Sequence, residues 1–308
     1  MTKDEKRLKK YAFRPMKKFS SVTPYLYLSI LPGAASYAWR FVGTILRDFF
    51  LLQQLQKFHI TKRPVINVET EIDAAIPFTP SYVTVYLTFV SYFIKPLDMM
   101  TKRFGYRKAA PYICLFLKYL KNIYKNAASI YRYSMSTTTR PLYLKTHAFR
   151  TIHFFDPHLL CVPSIHVAIA AGVYAWFKQF YELGIVSKEE ADFRLKEIKA
   201  QGIAIVESVL FVKQHSVNCI PTALYMLTST MNKSFFPPEA AVEFMENLFL
   251  TTPEIDSETH KKLADYFDYM YDRTLLEGVF SKDWQTSIKH WLYEYAEKTD
   301  QTLPEKII

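Results

Sequence analysis

Apolar and aromatic positions along this chain gather into runs at helical spacing, separated by short polar or proline-containing segments. Six such runs stand out: 25–46, 74–94, 111–131, 163–177, 202–212 and 216–232. The second contains 21 residues without a charge, enough to cross a bilayer as a helix. The third carries Lys118, Lys121 and Lys125, whose i, i+3, i+7 spacing puts them on one face. Crossing a bilayer, that helix has to turn its lysines into the bundle interior or snorkel them to the interface. Ser187-x-x-Glu190 has the form of a capping box and predicts a solvent helix over 187–200. Beyond Phe236 the pattern predicts further helices. Pro237-Pro238-Glu239 suits one start, Asp256 or Ser257 caps another that Gly278 ends, and Trp284, Ile288, Trp291, Leu292 and Tyr295 form a last apolar stripe.

Composition agrees with a helical fold. Half of the 308 residues are apolar and only 7 are glycine, which excludes disorder. The mean hydropathy of −0.04 is low for a polytopic membrane protein. Three cysteines, Cys114, Cys161 and Cys219, make no disulfide framework. The basic first 23 residues lack the apolar core of a cleavable signal.

Charge changes the picture more. From Lys233 onward there are 8 Lys+Arg against 15 Asp+Glu, whereas the preceding residues carry 31 against 14. The split predicts a basic leader (1–23), a helical, transmembrane domain (24–232) and an acidic helical extension (233–308). A basic body suits anionic lipid or phosphate substrates; no zinc finger, helix-turn-helix or RNP-type motif argues for nucleic acid. With a cytoplasmic N-terminus and six crossings, the basic loops 99–110 and 187–202 fall inside. Arg140, Pro163–His166 and His215 then share the outer face.

Four polar segments punctuate the apolar runs: DAAIPFTP at 73–80, TTTRPLY at 137–143, CVPSIH at 161–166 and ESVLFVKQH at 207–215. Together they supply the parts for phosphoryl transfer, which is catalysed by positioning and by positive charge on the equatorial oxygens. Arg140 offers a planar donor fork, Lys213 a point charge and Ser164 a hydroxyl. Two histidines can divide the rest, one attacking phosphorus and the other protonating the leaving oxygen. Cys161, His166, His215 and Cys219 also compose a Cys₂His₂ set that zinc accepts, but buried cysteines are the default and no metal is expected.

The order IPF-x-P, RP, PS-x-H, KQH resembles the type 2 phosphatidic acid phosphatase superfamily, in the subgroup whose third motif reads S-x5-KQH; Ser208, Lys213, Gln214 and His215 match it at that spacing. The resemblance covers roughly 73–230. It implies an all-α, six-helix membrane bundle with the site near the outer face, acting on a lipid phosphate or related phosphate ester without metal or cofactor. By position it makes His215 the nucleophile that becomes phosphohistidine, His166 the general acid, and Arg140, Ser164 and Lys213 the phosphate ligands. Two positions depart from the pattern. Cys219 stands where the family has an orienting aspartate, leaving Asn218 as the possible orienting residue, and Tyr133 stands where many members have lysine. A relative with reduced catalysis, kept as a lipid-binding or interaction scaffold, is the competing expectation.

Overall fold

The structure is a computed structural model that describes residues 2–306. Two short helices, α1 (Lys3–Tyr11) and α2 (Thr23–Leu28), lead into α3 (Ala35–Ile45), which continues through a π-helical stretch into α4 (Leu52–Lys57). Strand β1 (Val65–Asn67), α5 (Glu71–Ala75) and α6 (Val83–Tyr86) precede the long α7 (Phe89–Phe104) and α8 (Tyr106–Tyr131). Strand β2 (Met135–Thr137) and α9 (His147–Phe155) follow, then α10 (Ile165–Glu182), α11 (Lys188–Phe211) and α12 (Cys219–Thr230). The chain closes with α13 (Pro238–Glu246), α14 (Ser257–Phe280) and α15 (Trp284–Lys298). The class is all-α. Strands β1 and β2 pair in parallel, with Val65 opposite Met135 and Asn67 opposite Thr137.

Several predicted runs form differently, each for a local reason. The run 25–46 breaks after Leu28 at a turn holding Pro32 and Gly33, where φ is +86°. The uncharged run 74–94 is not one helix. Pro77 and Pro80 bring no N–H donor, Ile76 is extended, and Thr79 N–H donates to the Phe211 carbonyl (2.9 Å), so continuous helix starts only at Phe89. In α8, Lys118 and Lys125 are exposed and Lys121 is half-buried, so the lysine face points outward and not into the bundle.

The predicted solvent helix 187–200 and the run 202–212 are one helix, α11. Ser187 caps it as expected (3.3 Å from Glu190 N), but the Glu190 carboxylate leaves the cap to grip Arg103 in a bidentate pair (2.8 and 2.9 Å). Gly202 sits inside this helix because a Cβ there would come 2.8 Å from the Tyr92 hydroxyl, which donates to the Ala170 carbonyl (3.0 Å). No helix among the described residues is long and apolar enough to cross a membrane.

The change of charge at 233 is not a boundary between cores. Leu263, Phe267, Met270, Ile288, Trp291 and Leu292 belong to the same buried cluster as Phe177 and Leu224. Tyr225 donates to the Trp284 carbonyl (3.0 Å), and Gln301 exchanges hydrogen bonds with the main chain of Asn67 (2.7 and 2.9 Å). Helix α14 runs through Gly278 to Phe280; this glycine is there because a Cβ would collide with the Tyr225 ring. The basic leader is likewise held. The fully buried Arg194 guanidinium donates to the carbonyls of Tyr11, Ala12 and Arg14.

Candidate active site

The small sheet positions two loops. From β2, Ser136 takes the 159–162 segment: its N–H donates to the Leu159 carbonyl (3.0 Å), its carbonyl accepts from Cys161 N (3.2 Å) and its hydroxyl from Val162 N (2.7 Å). Beyond β1, the Val68 carbonyl accepts from Ser216 Oγ (2.9 Å) and Asn218 Nδ2 (2.8 Å). The PS-x-H and KQH segments are therefore tied to adjacent strands. They also meet directly, through Ser164 N–H and the Cys219 carbonyl (3.4 Å).

Ser164 is the N-cap of α10, its hydroxyl accepting from Val167 N (3.4 Å), and it is fully buried. His166 therefore lies in the first turn, at the positive end of the helix dipole. The KQH segment follows a Schellman ending of α11: Gln214 N–H donates to the Val209 carbonyl (2.9 Å) and Lys213 N–H to that of Leu210 (3.1 Å). Lys213 occupies the left-handed position of this ending, φ +54°, where glycine is usual.

Three of the predicted residues come together. His215 Nε2 lies 3.2 Å from Ser164 Oγ and 3.2 Å from His166 Nδ1. On its other edge, His215 Nδ1 lies 3.2 Å from the Cys161 carbonyl. A carbonyl only accepts, so Nδ1 carries a proton; in the neutral ring Nε2 then holds the lone pair, facing Ser164 Oγ and His166 Nδ1. The His166 ring stacks on Tyr86 (centroids 4.8 Å apart) and tilts against Phe89 (4.3 Å). Burial, and then the neighbouring His215, hold its proton affinity well below that of free histidine.

Arg140 joins through Gln214. Its guanidinium donates to Gln214 Oε1 (3.1 Å) and to the Asp156 carbonyl (3.2 Å), with Tyr86 and Cys161 nearby. Burial lowers its pKa from the ordinary arginine value.

Two predicted residues are not brought to the histidines. The Lys213 ammonium donates to the carbonyls of Asp73 and Ile76 (both 2.6 Å) and touches neither histidine. The left-handed backbone of Lys213 sends its side chain away from the site. Asn218 does not orient His215: its amide is spent on the Val68 carbonyl and on the Tyr266 hydroxyl (2.5 Å). The Cys161 carbonyl takes that place. Ser208 also stays out, its hydroxyl returning to the Ile205 carbonyl of its own helix (2.7 Å). Cys219 is fully buried beside the Cys161 thiol, and burial raises its pKa. The Cys161 thiol lies 3.9 Å from His158 Nε2 and 3.7 Å from the Gln214 carbonyl, beside the Cys219 thiol, and among the described residues no three His, Cys, Asp or Glu side chains are grouped to hold a metal ion.

Other residues escaped the reading. Asp73 is buried, and its carboxylate accepts from Val217 N (2.8 Å), Ser216 Oγ (2.7 Å) and Thr70 N (2.8 Å), fixing the turn after His215. Burial raises its pKa. Its place just ahead of the Ile-Pro-Phe segment was the signal available. His158 is buried and bonded to Thr138 Oγ1 (2.8 Å). Tyr86 and Phe89, at i and i+3 in the uncharged run, read as span residues and not as the walls of a histidine slot.

An apolar cavity of about 640 Å³ reaches His166. Phe41, Phe49, Tyr86, Phe89, Phe93 and Tyr124 are among its walls; Ser164 and His215 lie behind His166, off the cavity surface. Comparison of the chain with family models, curated proteins and solved structures returns no match.

Proposed function

We propose that the chain is a phosphatase or phosphotransferase for a lipid phosphate or related phosphate ester, working through a phosphohistidine on His215. The observation that carries this is the contact of His215 Nε2 with Ser164 and His166, with His166 facing an apolar cavity large enough for a hydrocarbon chain. A bound phosphate displaces Ser164 and His166 from the Nε2 lone pair and enters between the rings. Nε2 then bonds to phosphorus as the ester oxygen leaves, and that oxygen takes its proton from His166. In the second half, water attacks phosphorus, the P–N bond breaks, and the water proton passes to His166. His166 is neutral at rest and takes up from solvent the proton it delivers, as the dianionic phosphate settles beside it and raises its proton affinity. Arg140 and the start of α10 answer the phosphate charge.

The resemblance to type 2 phosphatidic acid phosphatases and their six-helix membrane arrangement belong to this reading. Its support is that the RP, PS-x-H and KQH motifs lie between β2 and α9, at the start of α10 and between α11 and α12.

The test is hydrolysis by the full chain in detergent of phosphatidic acid, diacylglycerol pyrophosphate, an isoprenyl pyrophosphate and an aryl phosphate. Activity lost in His215→Ala is expected. No activity above that of His215→Ala on any of the four sinks the enzyme reading. The second reading, a lipid-binding relative with reduced catalysis, is favoured by the neutral carbonyl at Nδ1 and by the diverted Lys213. It expects lipid retention without turnover.

A further inference from the structure

We propose that the mouth of the apolar cavity is a docking face for an anionic lipid bilayer, from which a hydrocarbon chain enters toward His166. Trp39, Leu46, Phe50, Leu87, Val90 and Phe155 all line the cavity, yet each is exposed; Trp39 is 60% and Phe155 59% accessible. They come from α3, the π-helical stretch after it, the α6–α7 junction and α9, so four parts of the chain turn apolar groups outward around one opening. Phe154 extends the rim on the α9 side, 72% exposed. Scattered exposed apolar residues are ordinary, but a ring of them around a cavity marks an interaction site.

Charge selects the partner. On the α3 side the rim carries Arg40, while Arg47 is paired with Asp48 (2.7 Å); on the α9 side it carries Lys145 and Arg150, with Asp156 on the cavity wall beyond them. Arg40 also lies near Lys118, Lys121 and Lys125, and the mutual repulsion of these cations, after burial, lowers the Lys121 pKa. None of Arg40, Lys118, Lys121 or Lys125 forms an ion pair among the described residues. Aromatic and aliphatic groups flanked by unpaired cations are the chemistry of binding to an anionic membrane surface. A protein partner seated here closes the cavity; a bilayer covers the same surface and leaves a way in for an acyl or isoprenyl chain. What enters the cavity rests on the lipid-phosphate reading, whereas the docking face does not.

The experiment is flotation of the purified full chain with phosphatidylcholine vesicles, with and without phosphatidylserine, together with tryptophan quenching by brominated acyl chains. Trp39 is the exposed reporter, Trp284 is half-buried, and Trp176 and Trp291 are buried. Binding is expected to rise about tenfold or more with phosphatidylserine and to fall with salt. Quenching is expected in the wild type and is lost in Trp39→Phe. The double variant Leu46→Glu/Val90→Glu should float about tenfold less while keeping its circular-dichroism melt. Absence of flotation, quenching that persists in Trp39→Phe, or wild-type binding by the glutamate variant overturns the proposal. So does a stable dimer in sedimentation that shields Trp39. Hydrolysis of a soluble aryl phosphate is measured on the same samples: its absence with flotation intact counts against the phosphatase reading alone.

Discussion

His215 Nδ1 donates to the main-chain carbonyl of Cys161 across 3.2 Å, where the resemblance leads one to expect a carboxylate. A carbonyl fixes the ring but brings no full negative charge to a histidine that, in the proposed reaction, becomes positive on phosphorylation. Orientation is thus uncoupled from the side chain at 161. Cys161→Ala keeps the carbonyl and should hold kcat within about threefold, whereas His215→Asn should lose about 10³-fold or more. Steady-state rates on an aryl phosphate decide it; equal losses in the two variants count against the main-chain role.

The same relationship sets the expectation for Cys219→Asp. His215 Nδ1 is already satisfied, and position 219 is fully buried against the Cys161 thiol. A carboxylate introduced there has no cation to pair with. Cys219→Asp should destabilise the protein by about 3–5 kcal/mol and leave kcat unraised. Urea unfolding measures the first and the aryl phosphate assay the second. A rate gain at unchanged stability means that the new carboxylate reaches His215 after all.

His166 makes stability depend on pH. Its proton affinity in the folded state lies below the free-histidine value of 6.5, chiefly because it is buried between Tyr86 and Phe89. Below about pH 6.5 the unfolded chain takes up a proton that the folded chain refuses, so stability falls with acid through the interval down to the depressed folded value. His166→Phe fits the aromatic slot and cannot titrate. Its melting temperature should decline less than that of the wild type between pH 7 and pH 5. Parallel declines would place the acid sensitivity at other groups.

How far these features could be read from residues alone depends on where the chemistry sits. Helices α8, α10 and α12 were legible because each has an apolar face at helical spacing. Helix α11 was split in two because its first half is rich in charge, and nothing in composition announces that Arg194 is buried under three main-chain carbonyls. Ser164, His166 and His215 were legible from motif order. The Cys161 carbonyl was not, since every residue has one. Nor was the placement of Lys213, since only the backbone shows that its φ is positive and its ammonium turned to two main-chain carbonyls.

Asp73 supplies negative charge to this region at one remove, by holding the 216–217 turn that follows His215. Asparagine at 73 sets an NH₂ against N–H donors that now meet carboxylate oxygens. Asp73→Asn should cost about 1–3 kcal/mol in stability. In the proposed reaction it should also lower kcat on an aryl phosphate with little change in KM, since there the turn aims His215 and does not bind substrate. A purely structural Asp73 predicts the stability loss with kcat, corrected for the folded fraction, unchanged.

The left-handed backbone of Lys213 separates strain from charge. Both Lys213→Ala and Lys213→Gly remove the ammonium and its bonds to the Asp73 and Ile76 carbonyls. Alanine keeps a Cβ that disfavours φ of +54°, whereas glycine does not. Lys213→Gly should therefore be about 1 kcal/mol more stable than Lys213→Ala, the reverse of their order inside a helix. Because the ammonium points away from the histidines, neither variant should raise KM for an aryl phosphate more than about threefold; Arg140→Ala, which removes the guanidinium beside Gln214, should raise it about tenfold or more. A KM rise in both Lys213 variants as large as that of Arg140→Ala returns Lys213 to the phosphate. The lysine must then swing off its two carbonyls when substrate binds, and glycine at 213 loses affinity while gaining stability.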